Sequence, residues 1–136
     1  MAPVSLSPDG RFLATGGNNT LMLWDVKDWR LIRTFRGLPA DPSAGKWSTV
    51  SGIECTRDGS RMAAVFNMSA KAWVCLWNTA SMLNEAVRDP EPFVIPVNGT
   101  FRELWEPRLT FTPDGHRLAV ATGKSRRGLD EALAQV

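Results

Sequence analysis

Apolar and polar positions alternate in three short stretches of this chain, and each stretch runs into the same kind of turn. Val4 to Gly10 reads V-S-L-S-P-D-G, Ile53 to Gly59 reads I-E-C-T-R-D-G, and Leu109 to Gly115 reads L-T-F-T-P-D-G. A period of two predicts half-buried strands in which Val4 and Leu6, Ile53 and Cys55, and Leu109 and Phe111 face the same way. The pairs Asp9-Gly10, Asp58-Gly59 and Asp114-Gly115 end these strands with residues that tolerate a positive φ, while Pro8 and Pro113 set the entry dihedral. A second strand is then expected after each turn, at Phe12 to Thr15, Met62 to Phe66 and Leu118 to Ala121. The alanines Ala14, Ala64 and Ala119 within them suggest close packing between neighbouring sheets.

In the first copy, Gly16, Gly17, Asn18 and Asn19 reverse the chain into a third strand, Thr20 to Val26. Its counterpart in the second copy is Ala72 to Thr79, and Trp24 and Trp77 occupy the same slot. Leu31 to Phe35 and Phe93 to Val97 supply a fourth strand, so each unit is predicted to be a four-stranded meander. Successive Asp-Gly turns fall 49 and 56 residues apart, and the extra length lies in two loops, Leu38 to Thr49 and Ala80 to Pro92.

The S-P-D-G turn, the G-G-N-N-T turn and the L-W-D-V strand together resemble the WD40 repeat family, whose repeats run to roughly 40 to 45 residues. Trp24-Asp25 is the dipeptide for which that family is named, and it becomes Trp77-Asn78 in the second copy. The structural repeat positions carried by the resemblance are Asp9, Gly10, Trp24, Asp25, Asp58, Gly59, Trp77, Asp114 and Gly115. In the family, a histidine, an acidic turn residue, a hydroxyl and the tryptophan form a buried network across each blade. Here Lys46 stands for the histidine and Asn19 for the turn aspartate, so only the tryptophans and hydroxyls such as Thr15 carry over. The network is expected to be absent or rebuilt, at a cost in stability, because a partly satisfied buried network is worse than none.

The resemblance implies an all-β fold: a partial β-propeller of antiparallel four-stranded blades, two near-complete and one truncated. Residues 1–37 form the first blade, entered inside its opening strand, and 38–49 form a loop. Residues 50–98 form the second blade with its insertion near 80–92, and 99–123 start a third. Residues 124–136 are expected to be a tail outside the propeller. Lys124 to Arg127 stand where a third strand should follow, and Leu129 to Val136 hold good helix formers that should fray or make loose turns. Rings of this kind close with roughly 4 to 8 blades. The arc therefore reads as part of a longer propeller, as a truncated product, or as a subunit that completes a ring by self-association.

Charge and composition change this picture little. Sixteen basic and fourteen acidic residues leave a formal charge of +2, without the one-sided excess of a nucleic-acid or membrane-tethering surface. No stretch approaches the roughly 20 apolar residues that span a bilayer, and the start of the chain lacks the layout of a secretion signal. A cytoplasmic location is the resulting expectation. Cys55 and Cys75 lie in apolar stretches without metal-ligand spacing. Gly123-Lys124-Ser125 lacks the upstream glycine of a phosphate-binding loop, since Leu118 holds that position. One histidine, His116, beside a turn, offers little for acid–base or nucleophilic chemistry. No catalytic residue, cofactor or metal site is expected.

The expected role is a non-catalytic scaffold segment that binds a protein partner or the remaining blades, or pairs with a second copy through open blade edges. Trp29, Trp47 and Trp105 fall in or beside loops, where an exposed indole is a frequent interface anchor. Trp47 and Trp105 precede first strands, and with Lys46, Arg102 and Glu103 they form the predicted contact patch. The alternative is an appended regulatory or substrate-gating segment of a larger enzyme, such as a protein kinase or peptidase.

Overall fold

The computed structural model describes residues 2–18, 20–36, 49–68, 71–97, 108–121 and 131–135. Each alternating stretch pairs with the strand that returns from its turn, and three antiparallel sheets result. The first is β1 (Val4–Leu6), β2 (Phe12–Gly16), β3 (Thr20–Asp25) and β4 (Arg30–Arg36), in that spatial order. The second is β5 (Thr49–Cys55), β6 (Arg61–Met68), β7 (Lys71–Asn78) and β8 (Phe93–Val97), with a short helix α1 (Thr79–Leu83) between its last two strands. The third holds β9 (Arg108–Phe111), β10 (Arg117–Ala121) and β11 (Glu131–Gln135), in the order β11-β10-β9.

The turns that close β1 on β2, β5 on β6 and β9 on β10 share one construction. The N–H of Gly10, Gly59 or Gly115 donates to the carbonyl three residues earlier, at 2.8, 2.9 and 2.8 Å. The three glycines adopt φ of +71°, +73° and +72°, a region that side chains with a Cβ rarely enter. Positive φ belongs to the glycine alone. The aspartate beside it serves through its carboxylate, which accepts from the hydroxyl two residues before it and from the backbone N–H two residues after it.

Packing between the sheets follows the period-two pattern. The face of blade 1 carrying Phe12, Ala14, Leu21, Leu23 and Phe35 is buried against Val50, Ile53, Met62, Phe66 and Trp77 of blade 2. Phe35 and Trp77 meet at 5.6 Å between ring centroids, tilted by 50°. The opposite face of blade 2, with Ala63, Val65, Val74 and Leu76, packs on Leu118 and Val120 of blade 3, flanked by Leu109 and Phe111. Gly16 sits at the first seam: a Cβ there would lie 2.6 Å from Pro3 Cγ and 2.7 Å from Val50 Cγ1, so only glycine lets the strands approach.

Two elements differ from the sequence reading. The tail, expected to fray or turn helically outside the propeller, instead supplies β11, which pairs with β10 from Arg117↔Gln135 to Ala121↔Glu131. Helix propensity in so short a segment is worth little, whereas β10 without β11 would leave a row of unpaired backbone groups along its edge. The third strand of blade 3 thus comes after the stretch where it was looked for. The insertion of blade 2, read as a loop, opens with α1. The Asn78 side chain caps this helix by accepting from the Ser81 N–H at 3.3 Å. Met82 is fully buried in the core between blades 1 and 2.

Candidate interaction surfaces

The predicted contact patch of Lys46, Trp47, Arg102, Glu103 and Trp105 lies outside the described residues. The repeat positions are described, and they show what replaces the family's buried network. In blade 1, the Trp24 Nε1–H donates to the Thr15 hydroxyl at 3.0 Å. In blade 2 the slot equivalent to Thr15 is Ala64, which is fully buried and offers no acceptor. The Trp77 Nε1–H turns instead to the carbonyl of Pro90 in the insertion, at 3.2 Å. Among the described residues, the tryptophan's partner is therefore a hydroxyl in one blade and a backbone carbonyl in the other. Asp25 caps the turn between β3 and β4 by accepting from the Lys27 and Asp28 N–H groups at 2.8 and 3.3 Å.

The insertion is also tied to blade 1. The Arg33 guanidinium donates to the carbonyls of Val87 at 2.6 Å and Asn84 at 2.9 Å. Arg30 and Glu85 approach to 4.0 Å across solvent. Residues 79–92 thus act as a strap across the seam between two blades. Sequence reasoning saw only extra length there; the signal it missed is Asn78 followed by the apolar pair Met82-Leu83.

No group of candidate metal ligands occurs among the described residues, and no helix there is long and apolar enough to cross a membrane. Both cysteines are free. Burial pushes the Cys75 thiol up to about 12 and also raises that of Cys55, so neither is a reactive nucleophile near neutral pH.

The surface that stands out is the outer face of blade 1. Val4 and Leu6 are 60% and 54% exposed, while Ile53, which holds the Val4 position in blade 2, is 7% exposed. Leu31 is exposed on the same sheet, and Trp24 is half-buried. In blade 2 the corresponding face is covered by blade 1. Trp29, in the turn after β3, is 67% exposed at φ +50°.

A profile of the family described as WD domain, G-beta repeat matches residues 3–25, the span of the first turn and the Trp-Asp strand. Residues 3–25 thus match one WD40 repeat. Among solved structures it resembles the C-terminal WD40 domain of Sif2, with a TM-score of 0.63 at 12% identity over 98% of this chain and 33% of that one. It also resembles hydrazine synthase of Kuenenia stuttgartiensis, with a TM-score of 0.58 at 20% identity over 87% of this chain and 30% of that one. The chain thus spans about a third of the length of each. No curated protein matches it in sequence. At these identities the likeness concerns the fold alone: adjacent antiparallel blades in the arrangement of a propeller arc.

Proposed function

We propose that this WD40 segment is a non-catalytic protein-interaction scaffold, and that the outer face of blade 1 is its principal contact. The observation that carries this reading is the contrast between Val4, 60% exposed, and Ile53, 7% exposed, at one repeat position. A surface patterned like the covered face of blade 2 lies open to water. Val4 and Leu6 are 60% and 54% exposed, so covering what remains is worth roughly 1–1.5 kcal/mol each, which favours association with another sheet, whether a further blade, a partner protein or a second copy. The patch of Lys46, Trp47, Arg102, Glu103 and Trp105 belongs to the same proposal as a separate contact, carried by the segments that precede β5 and β9 in the sequence.

Light scattering after size exclusion, on the chain and on Leu6→Glu, tests this. A discrete assembly that Leu6→Glu dissolves into folded single chains supports the open face as a contact. A monodisperse, folded single chain at high concentration rules out a second copy as the occupant, and a Leu6→Glu chain that assembles as the parent does overturns the open face as a contact.

A second reading makes these blades an appended regulatory or gating segment of a larger enzyme. The likeness to hydrazine synthase supports it, since the fold of this arc recurs within an enzyme chain. Further repeats alone in the same transcript would favour the scaffold, and a kinase or hydrolase domain would favour the enzyme.

A further inference from the structure

The blades repeat one packing rule, so each open face at the ends of the arc has a covered equivalent inside the chain. Counted back or forward from the aspartate of each turn, Ser5, Glu54 and Thr110 share one slot, Leu6, Cys55 and Phe111 a second, and Ala14, Ala63 and Ala119 a third. The first and third slots belong to the face that a blade turns toward the next one, and the second to the face that receives the blade before it. At the seam of blades 1 and 2, the Ser5 hydroxyl lies 3.9 Å from Cys55 Sγ, and Ala14 is fully buried. At the seam of blades 2 and 3, Ala63 is fully buried and Phe111 is half-buried.

The two open faces depart from this pattern in the same sense. On blade 1, Leu6 is 54% exposed where Cys55 and Phe111 are half-buried. On blade 3, Thr110 is exposed where Ser5 and Glu54 are half-buried, and Ala119 is half-buried where Ala14 and Ala63 are fully covered. A small residue lets a neighbouring sheet approach closely, and blade 3 keeps one on a face that no described blade covers.

Resting on the reading of the outer face of blade 1 as a contact, we propose that its occupant is blade 3 of a second copy, so that two chains join head to tail into a closed ring. The seams inside the chain supply the template. In the new seam Thr110 of one copy meets Leu6 of the other, as Ser5 meets Cys55 within the chain. Such a contact is heterologous, with a different face on each side, and it stops growing only where the rotation closes. Three sheets per chain make six blades from two copies and nine from three, and only six falls within the roughly 4 to 8 of closed propellers. Closure at two copies covers both open faces of each chain and leaves none for further growth.

The test has two parts, both on the full chain. Light scattering should give twice the mass of one chain, without larger species as concentration rises. The seam is then read by mixing a Leu6→Cys chain with a Thr110→Cys chain, both carrying Cys55→Ala, and adding a short thiol cross-linker. Both positions are exposed, and Cys55 shows that the fold takes cysteine at the Leu6 slot. Mass spectrometry should find links between residues 6 and 110 of different chains in the mixture, and none in either chain alone. Links from 6 to 6 or from 110 to 110, open-ended growth, or a doubled mass without the 6 to 110 link would each overturn the proposal. A single-chain mass overturns it too, yet leaves the outer face of blade 1 open to a further blade or a partner protein. Assembly that persists in Leu6→Glu removes both readings, so the two failures are distinct.

Discussion

The Trp24 indole N–H donates to the Thr15 hydroxyl at 3.0 Å, tying β3 to β2 across the first blade. Thr15→Val keeps the shape and removes the acceptor, leaving the indole N–H of a half-buried ring unpaired. The expected loss is about 1 kcal/mol, because water can still reach part of the group. Urea unfolding checks it, and an unchanged midpoint would show that the bond contributes nothing.

Ala64 holds the Thr15 position in blade 2, so Ala64→Thr restores the family's pattern on paper. The structure gives the opposite sign. Ala64 is fully buried between the blades, and Trp77 already has the Pro90 carbonyl. The added atoms must be forced into a packed seam at a cost of about 1–3 kcal/mol. A melting temperature that rises in this variant would show that the indole prefers the hydroxyl.

This contrast marks what the sequence made legible. The strands and turns were readable because their signals are local: alternation at Val4 and Leu6, then Asp9-Gly10. The Thr15 hydroxyl under Trp24 was readable because the repeat places both. The Pro90 carbonyl under Trp77 was not, because a backbone acceptor carries no sequence identity. Likewise β11 was missed because its pairing compensates the edge of β10, a tertiary demand that the tail's own composition does not display.

Arg33 holds the blade 2 insertion to blade 1 through two carbonyls. Arg33→Met preserves much of the stem and removes both bonds. Global stability should fall by about 1–2 kcal/mol, given charge-assisted donors that are partly exposed. The more specific effect is local: amide hydrogen exchange should accelerate across residues 84–92 while β6 and β7 keep their protection. Uniform acceleration throughout both blades would show that the strap and the core open together.

Asp58 is held well below its ordinary value of 3.8, at about 2, chiefly by the Thr56 hydroxyl and then by the Ser60 N–H and hydroxyl. Asp9 and Asp114 are lowered in the same way, led by Ser7 and Thr112. A carboxylate with a depressed folded value stabilises the fold fully above its unfolded value and loses that contribution as pH falls through the folded one. The turns should therefore hold above about pH 5 and weaken between about pH 4 and 2. Asp58→Asn, which keeps an acceptor but cannot titrate, should flatten part of that acid limb. Thermal melts at stepped pH read the difference. Parallel acid limbs in the two proteins would mean that the turn carboxylates are not what acid attacks.

Gly16 offers the sharpest test of how the blades meet. A Cβ at this position would fall 2.6 Å from Pro3 Cγ and 2.7 Å from Val50 Cγ1, and neither neighbour is the free end of a flexible side chain. Val50 is fully buried, and the Val50 N–H donates to the Gly17 carbonyl at 3.1 Å, so retreat from the new methyl would stretch that bond. Gly16→Ala would gain backbone rigidity in the unfolded chain, worth about 0.4–1 kcal/mol, but overpacking should outweigh this at about 1–3 kcal/mol. The expected outcome is net destabilisation, with faster amide exchange at Gly17 and Val50 ahead of the centre of β2. A stabilised variant would mean that the first two blades sit further apart than the Pro3 and Val50 contacts place them.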